Sequence, residues 1–152
     1  MILVSSCLAG LEVRYNETHC LNHKIDRLVK EQKAVVACPE LLGGLSIPRE
    51  PAEIVGGDGG DVLDGHAKVI TKSGEDVTPQ FLKGAFATLE QAREIQATTI
   101  VLKESSPSCG STMIYNGKFS GEKRMGDGVT SALLKRNGFH VISEEQFADQ
   151  LL

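Results

Sequence analysis

Apolar residues along this chain fall into two kinds of pattern. Short uninterrupted runs at Ile2 to Val4, Ala34 to Ala37 and Thr99 to Leu102 have the length of strands buried on both faces. Between them, apolar positions recur at helical spacing. Ile25, Leu28 and Val29 stand at i, i+3 and i+4 within Asn22 to Lys33 and predict a helix capped by Asn22. Thr78 as cap and Pro79 as first-turn proline predict the longest helix, with Phe81, Leu82, Ala85, Phe86, Leu89, Ala92 and Ile95 as its buried stripe. A further helix is predicted over Asp127 to Asn137, stopped by Gly138, before a last strand at His140 to Ile142. Ser143-Glu144-Glu145 then opens a terminal helix.

Two segments break this alternation. Residues 43–66 are rich in Gly, Pro and Asp and read as a long irregular excursion, a length at which loops are usually functional or mobile. Ala67 to Thr71 follows as a short strand turning at Ser73-Gly74, and the stretch from Gly110 to Gly126 reads as polar and glycine-containing.

Strands alternating with amphipathic helices predict an α/β fold. The expectation is one three-layer, Rossmann-like domain over residues 1–152, an open and mostly parallel sheet with helices on both faces. In such sheets the carboxyl ends of the parallel strands share one edge, and ligands bind beyond it. Cys7, Cys38 and Cys109 each lie at or just past the carboxyl end of one of the three core runs. Residues far apart in sequence are therefore expected to converge.

Composition narrows the compartment and the partners. A chain of 152 residues, 41% hydrophobic and 24% charged, is that of an ordinary globular domain. Its net charge of −4 argues against a large nucleic-acid surface or attraction to an anionic membrane. No stretch approaches the roughly 18 apolar residues of a membrane span, and the opening run is too short for a secretory signal, so the expected location is the cytoplasm. Thiols stay reduced there, and the four cysteines read as metal-binding, catalytic or buried rather than disulfide-bonded.

A single cysteine is often just a small buried apolar side chain. Here the same placement recurs three times beside small or polar residues, in Ser5-Ser6-Cys7, Cys38-Pro39-Glu40 and Ser105-Ser106-Pro107-Ser108-Cys109-Gly110. The absence of any Cys-x-x-Cys pair argues against a zinc ribbon or finger, whereas soft thiolates also select iron-sulfur clusters. Three thiolates on a four-iron cluster leave one iron without a protein ligand, able to act as a Lewis acid. Cys20, between His19 and His23, stands as a structural residue, a fourth ligand or part of a zinc site.

Taken together, the residues carry a family likeness. Ser5 to Gly10 (Ser-x-Cys-Leu-x-Gly), Arg14-Tyr15-Asn16, Cys38-Pro39-Glu40 with Gly43-Gly44-Leu45 and Pro48-Arg49, Lys103 to Gly110, and Gly126-Asp127-Gly128-Val129-Thr130 occur in this order. The chain resembles the short, single-domain thiouracil desulfidase family, formerly a domain of unknown function, over nearly its whole length. The resemblance implies an oxygen-sensitive four-iron four-sulfur cluster on Cys7, Cys38 and Cys109, with one open iron site, which protein prepared in air can lack. It implies a thiolated pyrimidine as substrate, with water replacing sulfur without net redox chemistry, and iron-sulfur assembly machinery as a partner. The family's acidic and hydroxyl catalytic residues map to Glu40 and Ser105.

Other assignments stay open on the sequence. Glu40 can act as base for water, or simply cap a neighbouring backbone. Ser105 can equally form a turn before Pro107. Arg14, Arg49 and Lys103 are candidate contacts to a phosphate or ring carbonyl, and equally ordinary surface charges. Gly126-Asp127-Gly128 reads either as an anion or cluster-sulfide site or as a plain helix entry capped by Asp127. A zinc or cluster-binding module without enzymatic activity, and a related sulfur-handling enzyme with another substrate, are the competing functions.

Overall fold

A computed structural model describes residues 1–5, 23–45, 50–143 and 146. Its elements run β1 (Ile2–Ser5), α1 (His23–Lys30), β2 (Ala34–Ala37), α2 (Pro39–Leu42), β3 (Ala52–Val55), α3 (Gly59–Leu63) and β4 (Lys68–Thr71). The chain continues through α4 (Thr78–Glu94), β5 (Thr99–Leu102), β6 (Met113–Tyr115), β7 (Lys123–Met125), α5 (Val129–Arg136) and β8 (Val141–Ser143).

The central sheet has the order β2-β1-β5-β8, and every neighbouring pair is parallel. Successive strand residues point to opposite faces, and both faces are covered. Leu3, Ile100, Leu102 and Val141 enter one apolar cluster with Phe81, Ala85 and Leu89 of α4 and Leu133 and Leu134 of α5. Val4, Val101 and Ile142 enter a second cluster with Leu28 and Val29 of α1. Strands apolar at nearly every position are what a sheet sandwiched between helix layers requires, and the expected α/β fold is the one observed.

Away from the sheet the architecture departs from the sequence pattern. Residues 43–66 contain β3 and α3, the latter capped reciprocally by Asp58 and Asp61. β3 pairs antiparallel with β4, and β6 pairs antiparallel with β7 in the stretch read as polar and glycine-containing. Thr78 does not cap α4. The N-cap is Val77, and the Thr78 hydroxyl instead accepts the Val69 amide at 2.8 Å, tying the helix to β4. Phe86, placed in the buried stripe by its spacing, is 53% exposed, while Gly84 and Thr88 are buried. The cause is α2, which lies so close to α4 that a Cβ on Gly84 would overlap the Pro39 carbonyl.

At the far end, Ser143 and Gln146 cap one another, the Ser143 hydroxyl accepting the Gln146 amide and Gln146 Oε1 accepting the Ser143 amide. The predicted Asn22 cap of α1 lies outside the described residues. No helix among the described residues is long and apolar enough to cross a membrane.

Candidate active site

Parallel pairing aligns the ends of the three core strands. Ser5 stands level with Ala37, and Val4 with Val101, so β1, β2 and β5 finish together at one edge. A cavity of about 540 Å³ opens there, lined by Ser5, Cys38, Glu40, Lys103, Ser105 and Cys109 among others. Cys38, Glu40, Lys103, Ser105 and Cys109, all singled out in the sequence, thus share one wall system. Cys7, Arg14, Cys20 and Arg49 lie outside the described residues.

Cys38 leaves β2 in an extended conformation and is the N-cap of α2, with Pro39 supplying the first helical position. Proline suits that position because its missing N–H would have had no intrahelical partner. The turn places half-buried Glu40 on the cavity two residues after half-buried Cys38. α2 is anchored from behind by the close backbone contact of Gly43 and Gly84 with Gln80 and Pro39 respectively.

Cys109 is 4% exposed and sits in a loop held from two sides. From inside the loop, Glu104 Oε1 accepts the amides of Ser105, Ser111, Thr112 and Met113, and Oε2 accepts the hydroxyls of Ser111 and Thr112. Burial alone would raise the carboxyl's pKa. The Met113 and Thr112 amides, the Thr112 hydroxyl and the Ser105 amide outweigh it and hold it at about 2. Glu104 is therefore an anion near neutral pH, and the loop is wound around it.

From outside, the start of α5 grips the same loop. The amides of Gly128, Val129 and Thr130 donate to the carbonyls of Gly110, Pro107 and Ser108, and the Ser131 hydroxyl donates to the Cys109 carbonyl at 2.8 Å. Ser108 and Thr130 hydroxyls are 2.8 Å apart, both fully buried. Within Gly126-Asp127-Gly128, the Gly126 and Gly128 amides donate to the carbonyls of Thr112 and Gly110, which favours the helix-entry reading. Those amides are committed to protein carbonyls rather than to an anion. Asp127 is not the cap either; Gly128 is, and Asp127 accepts the Lys135 ammonium at 2.6 Å.

Ser105 itself has φ +76°, a left-handed conformation unusual for a residue with a side chain. It is 8% exposed, and its hydroxyl makes no hydrogen bond with any other described residue. Left-handed non-glycine residues persist only where neighbours fix them, and the Glu104 carboxylate holds this one through its amide.

Among the described residues no group of three metal-binding side chains forms; Cys7, the third thiol of the expected set, lies outside them. The chemistry of the two that are described is nonetheless uniform: Cys38 and Cys109 both reach the cavity, and so does Ser5, two residues before Cys7.

Comparison with known proteins adds three findings of the same kind. The family profile described as 2-thiouracil desulfurase matches residues 2–146. The chain belongs to the 2-thiouracil desulfurase family. An uncharacterized protein of Bacillus subtilis strain 168, YbbK, is 62% identical over 151 residues, covering 99% of this chain and all of that protein. A solved structure described as a [4Fe-4S]-dependent thiouracil desulfidase, TudS, superposes with a TM-score of 0.84 at 41% identity, covering 99% of this chain and 98% of that one.

Several residues lining this cavity were not picked out from the sequence. Glu104 passed as one polar residue among many, because its role depends on amides up to nine positions downstream. Glu53, 8% exposed, accepts the amides of Gly117 and Phe119 and so ties β3 to the β6–β7 hairpin. Its only signal was a carboxylate inside the apolar run Ala-Glu-Ile-Val. The hairpin brings Tyr115 and Lys123 to the cavity, the Lys123 ammonium 5.5 Å from the Tyr115 ring centre. A smaller adjoining cavity of about 290 Å³ shares Lys103, Glu104, Ser105 and Lys123 with the main one.

Proposed function

We propose that this chain removes sulfur from a thiolated pyrimidine, such as 2-thiouracil, 4-thiouracil or a thiouridine nucleotide, giving the oxo-pyrimidine and sulfide. The observation that carries the reading is the meeting of Cys38, Cys109, Glu40 and Ser105 on one cavity in a chain of the 2-thiouracil desulfurase family. Its volume, about 540 Å³, lies in the range of small-molecule sites.

The donor set fits an iron-sulfur cluster. Two thiols border the cavity, and the neighbour TudS, alike in fold over almost the whole chain, is [4Fe-4S]-dependent. Cys7, Cys38 and Cys109 would hold the cluster. Held by these three thiolates, the cluster would supply an iron without a protein ligand, a Lewis acid able to polarise the substrate's C–S bond. Oxygen-sensitive chemistry on reduced thiols suits the cytoplasm, where iron-sulfur assembly machinery would load the site.

The protein groups supply the proton transfers. In the overall reaction a thiocarbonyl and one water become a carbonyl and one hydrogen sulfide, so no electron is gained or lost. Glu40 takes a proton from the attacking water as the new C–O bond forms, and returns one as the C–S bond breaks. The Ser105 hydroxyl, on the cavity and without a partner among the described residues, would hold the water or the ring edge. Lys103 faces the same cavity and supplies a positive charge where negative charge develops on the substrate. Arg14 and Arg49 remain proposed contacts to substrate carbonyl or phosphate.

Anaerobic reconstitution followed by iron and acid-labile sulfide analysis tests the cofactor, and sulfide release from 2-thiouracil, 4-thiouracil and thiouridine nucleotides tests the reaction. Cys38→Ala should lose the cluster absorbance and sulfide release together. Tight zinc binding with no iron uptake would favour a structural module, and sulfide release by the Cys38→Ala variant would overturn the mechanism.

A further inference from the structure

One buried group in the cavity wall has no partner among the described residues. Gln80, in the first turn of α4, lines the cavity between Val77 and Phe81. Its Oε1 is the sole buried side-chain oxygen or nitrogen among the described residues that lacks a hydrogen bond. The rest of the carboxamide also makes no hydrogen bond with any described residue. Buried polar groups are paired in the great majority of cases, so an orphan in a ligand cavity calls for a donor from the ligand.

Its backbone is fixed while its side chain is not. A Cβ on Gly43 would overlap the Gln80 carbonyl, so Gln80 rests against the chain three residues beyond Glu40. Turning the carboxamide toward a ligand would break no bond to a described residue. Gln80 is also the lone carboxamide among the described residues lining the cavity, whose other polar side chains are carboxyls, ammoniums, hydroxyls and thiols. Only a carboxamide offers a fixed acceptor beside a fixed donor, the complement of an N–H beside a C=O.

We infer that Gln80 is the residue that recognises the pyrimidine ring, pairing with its N–H/C=O edge and thereby orienting the thiocarbonyl. The inference rests on the thiopyrimidine reading above. In 2-thiouracil the thiocarbonyl carbon lies between N1 and N3, and N1 is otherwise bonded to the C–H at position 6. The N3–H and C4=O pair is therefore the only such edge in the ring. Gln80 takes N3–H on its oxygen and gives an N–H to the C4 oxygen. It is a positioning residue for the reaction, and the proton transfers stay with Glu40.

The test uses the cluster-loaded enzyme with 2-thiouracil, 1-methyl-2-thiouracil and 3-methyl-2-thiouracil, comparing wild type with Gln80→Met. In wild type, methylation at N3 should raise KM by about tenfold or more, the loss of one buried hydrogen-bonded pair, and N1 methylation should raise it far less. Gln80→Met should raise KM for 2-thiouracil by about tenfold and lower kcat as well, the thiocarbonyl no longer being held in one orientation, and the added penalty of N3 methylation should vanish. Its thermal midpoint should equal or exceed that of wild type, because an orphaned polar atom has been removed; a merely structural glutamine would show the reverse. Equal KM for the two methyl isomers in wild type, which needs no variant, would overturn the inference and leave the desulfidase reading standing. A loaded wild type that releases no sulfide from any thiopyrimidine would instead remove that reading, and the inference with it.

Discussion

The Glu104 carboxylate accepts the backbone amide of Met113, nine residues further along the chain, at 3.1 Å. Together with the amides of Ser105, Ser111 and Thr112, this contact closes the loop that carries Cys109 around one fixed negative charge. Glu104→Ala leaves four amides without that acceptor and should cost roughly 2 kcal/mol of stability. Iron uptake on reconstitution should fall with it, since the loop no longer presents Cys109 in one geometry. Chemical denaturation and iron content of the variant check both effects.

The same group makes an acid-dependent contribution. The folded pKa of Glu104 is depressed to about 2 from an ordinary value of 4.5, so its stabilisation is fully present above the latter. It declines as pH falls through the folded pKa. Between pH 4.5 and 2 the wild type should therefore lose stability more steeply than Glu104→Gln, whose amide does not titrate. Parallel slopes for the two proteins in urea titrations over this range would exclude the proposed role.

Gly84 offers a mechanical test of the other cysteine. Gly84→Ala sets a methyl group against the Pro39 carbonyl and forces α2 away from α4, carrying Cys38 and Glu40 with it. Overpacking of this kind costs about 1–3 kcal/mol. Turnover should drop more than stability alone explains, and the residual activity per bound cluster, measured below the unfolding transition, distinguishes misplacement from unfolding.

Glu40→Gln keeps the shape of the side chain and removes its ability to take a proton. Cluster absorbance should match wild type while kcat falls by about 10²–10⁴-fold. Full activity in this variant would remove Glu40 from the reaction.

Ser105 allows its two properties to be separated. Ser105→Ala removes the hydroxyl but keeps a Cβ at φ +76°, whereas Ser105→Gly removes both. Both variants should lose turnover to a similar degree. The glycine variant should unfold at no lower temperature than the alanine variant, because glycine accepts the left-handed conformation without strain. Thermal scans beside sulfide-release assays give the two readouts.

What could be read in the sequence follows the physics of each element. The parallel sheet was legible because Ile2 to Val4, Ala34 to Ala37 and Thr99 to Leu102 are apolar at nearly every consecutive position, and burial on both faces demands that. Parallel pairing then aligns the strand ends, which is why the pattern alone could bring Cys38 and Cys109 to one edge. The β3–β4 and β6–β7 pairs were not legible. Their strands are short, β7 is fully exposed, and a long-range contact from Glu53 to Gly117 and Phe119 links the two. Likewise Thr78 looked like a cap, but tertiary context gave its hydroxyl to Val69. Phe86 fitted the helical stripe, but the approach of α2 turned the buried face toward Gly84.

The grip of α5 on the Cys109 loop also orders events during synthesis. Gly128, Val129, Thr130 and Ser131 supply the donors that hold the carbonyls of residues 107 to 110. Until those four residues have left the ribosome, the cysteine loop has no outer support, however early the first two core strands emerge. An iron donor meeting the nascent chain before then would find an unfinished receptacle, so the cysteine loop is ready for a cofactor only once α5 has emerged and packed against it.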